Sequence, residues 1–139
     1  MTSTAIDMAA DDMAHELLAR GESIQFIARG HSMWPHVLDG DTVCVAPIDT
    51  PLKMGDVVLI PHPGLGRLHR VVELSSSGWV RVRGDALILS DGWFAPHELA
   101  GCLQTITRNG RKINAANGRF TVIFSTILGY ARRVVSLLK

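Results

Sequence analysis

Apolar and polar residues alternate along several short runs of the chain. Thr42-Val43-Cys44-Val45 and Trp79-Val80-Arg81-Val82-Arg83 do so most clearly, with the two-residue period of a strand that buries one face. SIQFIA, DVVLIP, LHRVVEL and CLQTITR are further strand candidates. Turn-forming groups separate the runs: Asp39-Gly40-Asp41, Pro51, Gly55-Asp56, Pro61-His62-Pro63-Gly64, Ser75 to Gly78 and Asp91-Gly92. Short strands with turns at this spacing predict a mainly β domain. Asn109-Gly110, between CLQTITR and RKINA, is placed to close a terminal hairpin. No repeat has a solenoid period.

Both ends follow a helical period instead. Met8 to Arg20 predicts a short helix, with Met8, Ala9, Met13, Leu17 and Leu18 broadly on one side, acids in its early turns and Gly21 as a stop. Near the other end, Phe120, Phe124, Ile127, Ala131, Val134 and Leu138 recur at helical spacing. The expected organisation is an N-terminal helical segment over residues 1–22, a β domain over 23–113 and an amphipathic helix over 114–139. The simpler expectation for that last helix is docking on its own domain. Its weak polar face, with Arg132, Arg133 and Lys139, also fits contact with a membrane surface or a partner through Phe120 to Lys139.

Composition narrows the function classes. The 139 residues are enough for one domain with a real core, and the 47% apolar and 19% charged shares are ordinary for a soluble protein. A formal charge of +1 and dispersed Lys and Arg give no basic stripe, so nucleic acid is not an expected partner. Asp7, Asp11 and Asp12 occupy the region where a secretory signal would be basic and then apolar. No run reaches the roughly 18 apolar residues of a spanning helix. The expectation is a soluble chain, cytoplasmic or peripherally attached to a membrane. Cys44 and Cys102 lack metal-ligand spacing and need not pair.

Candidate chemistry centres on Ser32, in IARGHSMWPHVLDGDTVCV. A serine is a poor nucleophile unless a base lies within hydrogen-bond reach. The histidines are His15, His31, His36, His62, His69 and His97. His69 stands out because it sits inside an apolar strand candidate, where a polar side chain must be paired or face a cleft. Of three Gly-Asp pairs, Gly40-Asp41 and Gly55-Asp56 read as turns entering strands. Gly84-Asp85 differs, because Asp91 follows Asp85 by six residues across a short apolar run. A carboxylate that holds a general-base histidine is the third member of a hydrolytic triad. His31, His36, His62 and His97 fall in predicted loops, but no helix-borne His pair or Cys-x-x-Cys supports zinc, and no metal or cofactor is expected. Trp34, Trp79 and Trp93 are expected as core or cleft walls.

Taken together, these segments resemble the serine peptidases of the type I signal peptidase and LexA-like superfamily. Ser32-Met33-Trp34-Pro35 followed by Gly40-Asp41 is similar to the family's nucleophile box, and KMGDVVLI to its next strand. LHRVV, with His69-Arg70-Val71, resembles the His-Arg-Val box of the archaeal and endoplasmic-reticulum branch, where a histidine replaces the lysine base. Asp85 and Asp91 match that branch's Gly-Asp box and its second aspartate, and HELAGCL resembles the closing strand. The resemblance spans roughly Ser23 to Arg108, with four boxes in the family's order.

The resemblance implies a coiled antiparallel β-structure and a serine endopeptidase acting on a leader or precursor peptide. Ser32 would be the nucleophile, His69 the base and Asp91 its orienting carboxylate, with Asp85 sharing that role or bracing the loop. Met33 and Pro35 of the box would stand against substrate, and the peptide would bind as an extended strand. Where many members have a serine and then a glycine before the nucleophile, this chain has Gly30 and His31. The backbone N–H of Ser32 is therefore the one oxyanion donor the sequence names. Two alternatives use the same fold: a catalytically inactive peptide-binding module, and a self-cleaving LexA-like regulator. The second lacks the base lysine, and the roughly 22 residues ahead of the domain are too few for a helix-turn-helix module.

Overall fold

The structure is a computed structural model and describes residues 12–61 and 66–115. Helix α1 covers residues 12–19 and ends in a turn at Gly21. Eight strands follow: β1 Ile24–Ile27, β2 Thr42–Ala46, β3 Val57–Ile60, β4 Arg67–Leu74, β5 Val80–Arg83, β6 Gly92–Phe94, β7 Gly101–Arg108 and β8 Arg111–Asn114. A 3-10 turn, Pro96–Glu98, precedes β7. The chain is mainly β, as its alternation predicts. The start of the N-terminal helix and the amphipathic segment from Phe120 to Lys139 lie outside the described residues. Among those described, no helix is long and apolar enough to cross a membrane.

The strands form one antiparallel sheet in the order β1-β2-β7-β3-β4-β5-β6, with β8 paired to β7. The long strand β7 organises it. One edge carries β2 from Thr42↔Thr107 to Ala46↔Cys102; the other carries β3 near Gly101 and β8 from Thr105 onward. The expected hairpin forms at Asn109-Gly110, both with positive φ, 52° and 75°, which suits a tight turn between twisted strands. Register shifts at Cys44/Val45 and Val71/Glu73 bend the sheet.

The interior holds two apolar clusters on opposite faces of β3. Val57 and Leu59 pack with Val43, Val45, Leu103, Ile106, Met33 and Leu18. Val58 and Ile60 pack with Val71, Val80, Val82 and Leu99. Burial on both faces explains why β3 reads as an unbroken apolar run. Of the two places expected for the tryptophans, the core is excluded: Trp34, Trp79 and Trp93 are 41–43% exposed and belong to neither cluster.

Candidate active site

Three segments meet at one end of the sheet: the loop joining β1 to β2, the start of β4 and the turn after β5. The first loop carries Ser32. Its ends are closed by Ala28 N–H to Asp41 O and Gly40 N–H to Ala28 O, both 2.8 Å. Met33 and Val37, each 4% exposed, anchor its middle in the core, and the Trp34–Pro35 bond is cis. Buried Asp41 then fastens the loop to β7. Arg108 Nε and Nη2 donate to its two carboxylate oxygens at 2.9 and 2.7 Å, and Leu38 N–H donates at 2.7 Å. The Arg108 hydrogen bonds lower the Asp41 pKa most, burial opposes them, and the Leu38 N–H adds to the lowering.

His69 lies on β4, opposite Val58 of β3, and is 1% exposed. Its Nε2 is 3.0 Å from Ser32 Oγ. Its Nδ1 is 2.5 Å from Oδ2 of Asp91, the residue just before β6. Asp91 is held by its own N–H, which donates to Val82 O at 2.7 Å. Arg67 Nη1 stands 3.5 Å from the other Asp91 oxygen. Hydroxyl, imidazole and carboxylate thus form one continuous chain, with residues 37 and 22 positions apart brought together.

Asp85 does not reach His69. It is fully buried and accepts Arg70 Nε at 2.8 Å and Nη2 at 2.9 Å in a two-pronged pair. Arg70 Nη1 also donates to Gly55 O at 2.7 Å, and His36 Nδ1 stands 2.8 Å from Asp85 Oδ2. Burial alone would raise the Asp85 pKa, but hydrogen bonds from Arg70 and His36 outweigh it and hold the group below its ordinary 3.8. Asp85 is therefore a carboxylate at neutral pH. Of the two roles expected for Asp85, its contacts are those of a brace.

Gly84 makes the convergence sterically feasible. A Cβ built there would meet Ser32 O at 2.7 Å and His69 Nε2 at 3.0 Å. The same turn is tied to the Ser32 loop by Ala86 N–H to Ser32 O at 2.9 Å and by Asp85 N–H to Met33 Sδ at 3.4 Å. Beside Ser32 is a small pocket of about 80 Å³, lined among others by Phe26, Ala28, Leu68, Arg29 and Arg67. Met33 contributes only a buried wall of it, and Pro35 does not line it. Gly30 N–H is committed to Asp39 Oδ1 at 2.8 Å, whereas the Ser32 N–H donates to no described group.

Sequence reasoning missed Arg108, His36 as a partner of Asp85, and the packing role of Gly84. Arg70 was legible in principle, since a charge inside an apolar strand demands a partner. Among the described residues, no group of three or more His, Cys, Asp or Glu is arranged to hold a metal ion, and Cys44 and Cys102 are both free thiols. Comparison of the chain with protein-family models, curated proteins and solved structures finds no match to any of them.

Proposed function

We propose that this chain is a serine endopeptidase of the signal-peptidase and LexA-like type, acting on a leader or precursor peptide. The observation that carries the reading is the unbroken line from Ser32 Oγ through His69 to Asp91, at 3.0 and 2.5 Å. In this reading His69 Nε2 takes the Ser32 proton as Oγ attacks the scissile carbonyl. The proton then passes to the leaving amine, and water repeats the sequence to release the acyl group. Asp91 keeps the Nδ1–H tautomer in place and stabilises the imidazolium that forms. The uncommitted Ser32 N–H receives the developing oxyanion; such a donor is worth about 2.7–4 kcal/mol.

The surroundings support a peptide substrate. Among the described strands β1 pairs only with β2, and a peptide laid along its other edge would extend the sheet. The end of β1 and the start of β4 flank the pocket at Ser32. At about 80 Å³ it suits a small side chain next to the cut. Arg67, half-exposed and 3.5 Å from Asp91, also lines this pocket.

The test is covalent labelling with a fluorophosphonate. Wild type should label at Ser32, and labelling should vanish in Ser32→Ala and fall by at least about 10³-fold in His69→Ala. Labelling that survives both substitutions sinks the proposal. A folded wild type that never labels points to the peptide-binding module instead.

A further inference from the structure

We propose that His36 is a positioning residue for Ser32, clamping the nucleophile loop, through Asp85, to the strand that carries His69. The inference rests on the serine-peptidase reading above. His36 lies four residues beyond Ser32, on the far side of the cis Trp34–Pro35 bond. Its Nδ1 stands 2.8 Å from Asp85 Oδ2. Because Asp85 is ionised and can only accept, Nδ1 carries the proton in this contact. The two atoms are within hydrogen-bond distance, although their alignment is not ideal. Asp85 also receives both prongs of Arg70, the residue immediately after His69 on β4. One buried carboxylate therefore joins the segment bearing the nucleophile to the strand bearing the base.

The position of this link matters for the reacting pair. The loop reaches Ser32 from the edge of the sheet, whereas His69 is fixed in its interior. Their 3.0 Å contact therefore depends on how firmly the loop is held against β4 and the Gly84 turn. Two neutral contacts run beside the clamp, Ala86 N–H to Ser32 O and Asp85 N–H to Met33 Sδ. The His36 main chain is held independently of its ring: its N–H donates to Met33 O, and its carbonyl accepts Arg108 Nη2 at 3.2 Å. A different side chain at 36 would keep those main-chain contacts and lose the link to Asp85. A nucleophile displaced by about 1 Å loses on the order of 10²-fold in rate, so a partly loosened loop should cost less than that.

The test measures fluorophosphonate inactivation of the full chain over a range of probe concentrations, separating the maximal rate constant from probe affinity. Thermal melts of each variant are recorded alongside. His36→Ala is expected to lower the maximal rate constant about tenfold while probe affinity changes less than about twofold. His36→Asn, whose amide nitrogen occupies the place of Nδ1, is expected to recover to within about threefold of wild type. Wild-type labelling rates in folded His36→Ala would overturn the inference and leave the serine-peptidase reading intact. A loss in His36→Ala that only tracks the unfolded fraction, or no recovery in His36→Asn, would also overturn it. If His36→Ala does not fold, His36→Asn decides: a near-wild-type rate supports the clamp and a tenfold loss removes it. A wild type that does not label at Ser32 brings down the parent reading and this inference together.

Discussion

Gly84 sits against His69 so closely that a methyl group on it would stand 3.0 Å from the imidazole Nε2. The same methyl would meet the Ser32 carbonyl oxygen at 2.7 Å, a backbone atom that cannot swing aside. Gly84→Ala must therefore displace the loop, the turn or both. The expected cost is about 1–3 kcal/mol of stability, with a loss of Ser32 labelling beyond what unfolding explains. Chemical denaturation and probe labelling on the same samples check both parts. Wild-type labelling in Gly84→Ala would show that the contact has slack.

The two aspartates should fail in different ways. Asp91 touches His69 at the rim of the core, so Asp91→Asn is expected to cost labelling rate, by up to about 10⁴-fold, with a melting temperature near wild type. Asp85→Asn leaves Arg70 buried without its carboxylate, which is expected to cost about 3–5 kcal/mol of stability. Denaturation midpoints paired with labelling rates separate these outcomes, and the reverse pattern would exchange the two roles.

Arg108→Ala removes the cation from a buried carboxylate on the far side of the Ser32 loop. Hydrogen bonds to charged groups are worth about 1.5–3 kcal/mol, and a destabilisation in that range is expected. Urea unfolding at neutral pH measures it. A change below about 0.5 kcal/mol would mean that water replaces the guanidinium at Asp41.

Acid should weaken the fold through the same carboxylates. Asp41 and Asp85 both have folded pKa values below their ordinary 3.8. Below that value the unfolded chain takes up protons that the folded chain still refuses. The stability from these groups is therefore present above about pH 4 and is lost as pH falls through their folded values. Unfolding free energies between about pH 5 and 2 should decline, and less steeply in Arg108→Ala, where Asp41 has lost its main lowering influence.

Cys102 should be unreactive despite lining an open pocket between Pro47 and Asp56. Burial first, then the nearby Asp56 and Asp49 charges, push its thiol up to about 11. At pH 8 only about one thiol in a thousand would be ionised, so iodoacetamide should leave Cys102 unmodified over minutes and react as pH approaches that value. Mass spectrometry of the peptide carrying Cys102 provides the check, and rapid alkylation at pH 8 would contradict it.

Much of the β domain was legible because alternation is a local property. A residue's side of a strand follows from the two-residue period, so Val43 and Val45 or Val80 and Val82 could be assigned inward without knowing their neighbours. The hairpin at Asn109-Gly110 was legible for the same reason, since its backbone requirement lies within two residues. Strand β6, Gly92–Phe94, escaped notice because three residues are too short to show a period. Ser32, His69, Asp85 and Asp91 could be named as candidates from residue type, setting and resemblance.

The contacts among those residues belonged to the tertiary structure. Asp85 and Asp91 are the same amino acid six positions apart, and no local pattern says which of them faces His69. The turn after β5 decides it, bringing Asp91 to the imidazole and burying Asp85 between Arg70 and His36. The Arg108 link to Asp41 spans 67 residues and exists only because β7 lies beside β2. Hydrophobic period is set within a few residues of chain. Ion pairs and close packing are set by which strands become neighbours, and that depends on the energetics of the whole sheet.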